Sequence, residues 1–162
     1  VLGPAVNDSY FGNVPGERLA VTEGHIFFKA DGAYRSKIGV SPSRATGMAG
    51  SYNAISGTLT LTQYDQPEGN LEYVNSMWEI QSEPFSGDAI NSYNDGPPLP
   101  DTPPMGPFYE LETSSPAVEL GPEEFVTHRH RTMHFTGSRE AIEKLSQQSL
   151  GVGLDEIVAS LP

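Results

Sequence analysis

Residues 108–135 read FYELETSSPAVELGPEEFVTHRHRTMHF, and the alternation of side chains along this stretch decides the fold class. A strand over residues 108–113 sets Phe108, Glu110 and Glu112 on one side and Tyr109, Leu111 and Thr113 on the other. Tyr109 and Leu111 then take the core, and Glu110 and Glu112 point together toward solvent or a groove. Two carboxylates on one strand face repel unless water, a cation or a substrate hydroxyl separates them. Leu120, Gly121 and Pro122 interrupt the chain. From Phe125 to Phe135 alternation resumes, with Val126, His128, His130, Thr132 and His134 facing one way. Three of the four histidines therefore share one strand face.

Upstream the pattern is the same. Residues 25–29 (HIFFK) read as a strand ended by Asp31 and Gly32, and residues 34–40 as the next, stopped by Ser41 and Pro42. Residues 57–64 (GTLTLTQY) alternate as a half-buried strand, with Leu59 and Leu61 opposite Thr58, Thr60, Thr62 and Tyr64. Residues 73–81, carrying Val74, Met77, Trp78 and Ile80, read as another. Strands separated by Gly, Pro and Asn turns predict an all-β antiparallel sandwich over residues 1–135. Helix is expected only in a tail over residues 136–162, packed on the sandwich. There Ser138 caps a helix with Ala141, Ile142 and Leu145 on one stripe, Gly151 and Gly153 end it, and residues 154–161 form a second short helix.

The stretch Leu111-Glu112-Thr113, a loop through Pro116, Leu120-Gly121-Pro122-Glu123-Glu124-Phe125 and a strand closing at Phe135 resembles the C-terminal end of the aldose 1-epimerase (galactose mutarotase) superfamily. The likeness extends over most of the chain and is nearest to mutarotase-like proteins of gut bacteria grouped as a domain of unknown function. It implies a mutarotase-like sandwich and names Glu112 as the general base that takes the anomeric hydroxyl proton. Ser114 replaces the Gln that follows the family motif, and its Pro-Gly order is inverted at Gly121-Pro122. Asn7-Asp8-Ser9-Tyr10-Phe11-Gly12 resembles the family's N-terminal segment, with Asp8 in the position of the general-acid His. An Asp serves as an acid only when its pKa is lifted well above about 3.9, so the acid is expected from Asp8, His128 or His130. The same six residues also read as a turn closed by Asn7 and Asp8.

Residues 84–98 read as a long loop of the kind that carries function. Asn91, Tyr93, Asn94 and Asp95 are what a sugar site uses: an aromatic face for the C–H side of a pyranose and amide or carboxylate groups for its hydroxyls. Asn94-Asp95-Gly96 reads equally as a turn. Trp78, the single tryptophan, suits stacking on a sugar, while its place in an apolar strand favours the core. His128-Arg129-His130 resembles the H-x-H with which cupin barrels hold Zn, Fe or Mn, but the Glu that follows in that pattern is Thr132-Met133-His134 here. His128 and His130 then either line a carbohydrate groove or belong to a polar sheet face, and no cofactor is expected.

Composition narrows the partners. A net charge of −12 opposes binding to nucleic acid and to anionic membrane surfaces. With no Cys there is no disulfide framework or thiolate site, which leaves the compartment open. No apolar run approaches the about 20 residues of a membrane span, and no signal peptide is visible, as in a mature exported chain. The 162 residues suit one domain with a core, whereas a complete sandwich of the mutarotase kind needs a longer chain. Since the sequence opens on Val1, the expectation is the C-terminal half of a longer protein, associating with the missing half or with a second copy through an open sheet edge. A carbohydrate-acting protein and a noncatalytic carbohydrate-binding or structural sandwich are the two functions that fit.

Overall fold

The computed structural model describes residues 4–69 and 71–162; the first three residues of the expected sandwich and position 70 lie outside that description. The chain is mostly β, all strand pairs in its sheets are antiparallel, and a short helical segment closes it. Strands β1 (Leu19–Val21) and β2 (Ile26–Phe28) form a hairpin. One three-stranded sheet has the order β3 (Ser36–Val40), β6 (Ile90–Asn94), β7 (Tyr109–Thr113), and the other β4 (Met48–Asn53), β5 (Thr58–Tyr64), β8 (His130–Phe135). Helices α1 (Arg139–Leu150) and α2 (Leu154–Ala159) follow. None of the described helices is long and apolar enough to cross a membrane.

Strand β5 carries the core on both faces. Leu59 and Leu61 are fully buried with Ile142 and Leu154 of the helices, flanked by Met48, Tyr52, Met133 and Phe135. Its opposite side ends in Tyr64, which packs with Tyr73, Ala89 and Ile90 against Val40 and Ala49. The expectation of a half-buried strand is thus corrected, because the threonines between these anchors are covered as well: Thr60 Oγ1 lies 2.9 Å from His134 Nδ1. Between the sheets, Ser51 Oγ and Tyr109 Oη are 2.7 Å apart.

Helix α1 starts at the expected residue. Ser138 has extended backbone, and its Oγ accepts the Ala141 N–H at 3.3 Å, while Gly151 ends the helix at φ 73°. Replacing Ser138 by Ala is expected to cost about 1 kcal/mol, read as a lower urea midpoint at unchanged slope.

Three segments depart from the sequence pattern. Residues 73–81 are not a strand: only Tyr73 bridges, to Ser86. Asn75 Oδ1 accepts the Met77 N–H, and Gln81 Nε2 donates to the carbonyls of Asn75 and Met77, so side chains offer this backbone an alternative to a ladder. Residues 84–98 are not a continuous loop, since β6 within them is the central strand of its sheet and all five of its residues are buried. Strand preference depends on context; here the Asn91 amide nitrogen donates twice, and Asn94 is bonded through both its oxygen and its nitrogen. Strand β8 begins at His130, not Phe125, because a turn at residues 121–124, with Glu123 at φ 69°, leaves Phe125 84% exposed.

Candidate active site

The site lies on one face of the β3–β6–β7 sheet. Register aligns Lys37, Tyr93 and Glu110 in one cross-strand row and Gly39, Asn91 and Glu112 in the next. Ile38, Val40, Ile90 and Leu111 fall on the opposite face with Ser36, Ser92, Asn94 and Thr113, while alternation brings Lys37, Glu110 and Glu112 together on this one.

At Gly39 the missing side chain makes room for Asp88, whose Oδ2 accepts from Tyr10 Oη at 2.6 Å and from Asn7 Nδ2 at 3.0 Å. Asn91 Nδ2 donates to Tyr10 Oη at 3.0 Å and to the Ile38 carbonyl at 3.3 Å. The backbones of Asn7 and Gly39 exchange two hydrogen bonds, of 2.8 and 2.7 Å. This network holds the N-terminal segment against β3 and sets Tyr10 and Phe11 over the sheet face. Burial, followed by the hydrogen bond and charge of Asp88, pushes the Tyr10 hydroxyl up to about 12, so it serves as a neutral donor.

Phe11, Trp78 and Tyr93 form an aromatic group. Phe11 meets Trp78 edge-on at 6.3 Å and Tyr93 at 5.8 Å, with the Arg35 guanidinium 4.3 Å from the centre of the Phe11 ring. Together with Tyr10, Lys37, Glu110 and Glu112 they line a cavity of about 310 Å³, within the size range of small-molecule sites. Lys37 Nζ reaches Glu112 Oε2 at 3.1 Å and lies 5.3 Å from the centre of the Tyr10 ring. Desolvation beside the cavity, reinforced by the charge and hydrogen bond of Glu112 and by the charge of Asp95, holds the Glu110 carboxyl above its ordinary range against the opposing pull of Lys37. Two carboxyl groups, an ammonium and an aromatic face are thus gathered in one concavity.

The sequence model of a family of unknown function, DUF6786, matches residues 3–161. The chain belongs to that family. The match spans every strand and both helices of the described residues. No curated protein and no solved structure shows a significant match.

In this DUF6786 member, the residues singled out in the sequence separate into two groups. Glu112, Tyr93 and Trp78 line the cavity. Trp78 is 86% exposed rather than core, since residues 73–81 leave the sheet. Asn91 and Asp95 act behind them. The Asn91 amide positions Tyr10, and Asp95 is buried and accepts the Tyr93 hydroxyl at 2.7 Å and the Gly106 N–H at 2.9 Å. Burial alone raises a carboxyl, but these hydrogen bonds and those from the Gly96 and Met105 amides outweigh it and hold Asp95 below its ordinary value. Asn94 binds Gly32, Asp31 and the Tyr34 carbonyl away from the cavity.

The expected acids lie elsewhere. Asp8 Oδ2 accepts the Val14 N–H at 3.1 Å, closing a turn. His128 Nε2 and His130 Nδ1 each lie 2.8 Å from Thr113 Oγ1, on the side of β7 opposite Glu112. The second nitrogen of His130 is 3.0 Å from Thr132 Oγ1, and among the described residues no three His, Cys, Asp or Glu side chains group to hold a metal ion. Lys37, Tyr10, Phe11 and Glu110 were not among the site residues expected from the sequence. The signal for Lys37 is the alternation in Ser36–Val40, which puts it opposite Ile38 and Val40 beside Gly39.

Proposed function

We propose that this protein is a carbohydrate-acting protein whose two three-stranded sheets are the layers of a mutarotase-like β-sandwich, and that Glu112 is the base that takes a proton from a sugar hydroxyl. The observation that carries the reading is the cavity itself. The Glu112 carboxyl, fixed by Lys37 at 3.1 Å, shares a cavity of about 310 Å³ with Trp78, Phe11 and Tyr93. Aromatic faces suit the C–H side of a pyranose, and charged groups suit its hydroxyls. The resemblance of Leu111-Glu112-Thr113 and of the turn at Gly121-Pro122 to the aldose 1-epimerase pattern supports the same residue.

A noncatalytic carbohydrate-binding role is the second reading, and the placement of Asp8, His128 and His130 outside the cavity favours it. Both readings require sugar at Trp78. As the single tryptophan, its fluorescence reports occupancy directly, and titration with glucose or galactose is expected to shift its emission to the blue. Trp78→Ala is expected to weaken binding about 3- to 10-fold, followed by ligand-observed NMR, because an aromatic contact contributes about 0.5–1.5 kcal/mol. Unchanged emission and no saturation at millimolar sugar would remove both readings.

A further inference from the structure

We propose that Glu110 is the proton donor that works opposite Glu112, so that the two carboxyl groups of β7 act over the cavity as one acid–base pair. This rests on the carbohydrate reading above. The two residues occupy successive positions on one face of the strand, about 7 Å apart along it, and both line the cavity. Carboxyl groups this close cannot ionise with equal ease. Lys37 breaks the symmetry, since its ammonium pairs with Glu112 at 3.1 Å. Glu110 feels the charge of Glu112, with Tyr93 as its cross-strand neighbour. The other ionisable groups around it are Lys37 from β3, Asp95 beyond β6, and Tyr10 and Glu79 from the segments over the sheet. The balance of these groups raises the Glu110 carboxyl above the ordinary glutamate range, which favours its protonated form relative to a free glutamate.

A cyclic sugar presents its anomeric hydroxyl and its ring oxygen on the same carbon, so the base and the acid that open it must be near neighbours. The Glu112 carboxylate takes the hydroxyl proton as the carbonyl forms. The bond from the anomeric carbon to the ring oxygen breaks with its electron pair on that oxygen, which receives the proton of Glu110. Rotation and closure on the other face of the carbonyl return each proton to its original carboxyl, giving the opposite anomer without a further reactant.

The test combines carboxyl ¹³C NMR titration with anomerisation of glucose and galactose by NMR exchange, on the full chain. Glu110 is expected to titrate above the ordinary glutamate value in the wild type and to fall back toward it in Glu112→Gln. The anomerisation rate is expected to fall as pH rises through the Glu110 titration. Glu110→Gln, at an exposed position that tolerates the amide, is expected to slow anomerisation about 10²- to 10⁴-fold with sugar binding retained. If the Glu110 titration does not respond to Glu112→Gln, the pair is overturned whatever sugar does. If the pair is intact and Glu110→Gln turns over at the wild-type rate, the donor role is overturned. If the pair is intact and the wild type binds without anomerising, the catalytic reading falls together with the donor role.

Discussion

Gly39→Ala is expected to lower the folding free energy by about 3–5 kcal/mol, a large part of the about 5–15 kcal/mol of a typical domain. A Cβ placed at Gly39 meets Asp88 Oδ2 at 2.0 Å, Asp88 Cγ at 2.5 Å and Asn91 Nδ2 at 2.8 Å. These atoms cannot swing away. Asp88 and Asn91 are both buried, Asp88 receives Tyr10 and Asn7, and Asn91 holds the same tyrosine hydroxyl. Displacing Asp88 strands the buried Tyr10 donor, and each buried polar group left unpaired costs about 1–3 kcal/mol. The difference is read by urea denaturation followed by circular dichroism. A variant within 0.5 kcal/mol of wild type, the ordinary range for a surface change, would show that Asp88 repacks freely.

Glu112→Gln is expected to leave the fold intact and to slow anomerisation by about 10²- to 10⁴-fold, the usual worth of a positioned base. The amide is nearly isosteric and its oxygen still accepts from Lys37, so the row of Gly39, Asn91 and residue 112 keeps its packing. It cannot take a proton. Lys37, with only 12% of its side chain exposed, loses its counter-charge, and a modest drop in stability is expected alongside the kinetic effect. Polarimetry from pure α-glucose measures the rate, with Trp78 emission as the control for binding. Equal rates in variant and wild type, with sugar bound in both, would transfer the function to the noncatalytic reading.

How much of this was legible in the sequence differs from element to element. Strands β5, β7 and β8 declare themselves by period two, and Ser138 and Gly151 mark the ends of α1 by chemistry that needs no distant partner. Strand β6 was hidden because Ile90–Asn94 is rich in Asn and Ser. Its stability comes from hydrogen bonds to Tyr10, Ile38, Asp31 and Tyr34, residues 53 or more positions away. Residues 73–81 misled for the opposite reason, since their apolar content suggested a strand and three local bonds from the Asn75 and Gln81 side chains decide otherwise. Glu112, Tyr93 and Trp78 could be named from residue type, but their meeting with Lys37 depends on the β3–β6–β7 register, which no local pattern specifies. The histidines were conspicuous by composition, but that His128 and His130 meet at Thr113 while His134 meets Thr60 depends on strand pairing that no local pattern specifies.

One wall of the cavity belongs to neither sheet. Phe11 stands in place because Asn7 and Tyr10 are latched to Gly39 and Asp88, across 81 and 78 positions of chain between each donor and Asp88. Such a latch can release without disturbing the strands beneath it, since local opening requires less free energy than global unfolding. A sugar gripped between Phe11 and Trp78 would add its own binding energy to the closed state, and the amide protons shared by Asn7 and Gly39 would then exchange with solvent more slowly when the site is filled. Occupancy and closure are in that sense one equilibrium, and a change at Asn7 that touches no ligand atom would weaken binding by lowering the fraction of molecules with a complete wall.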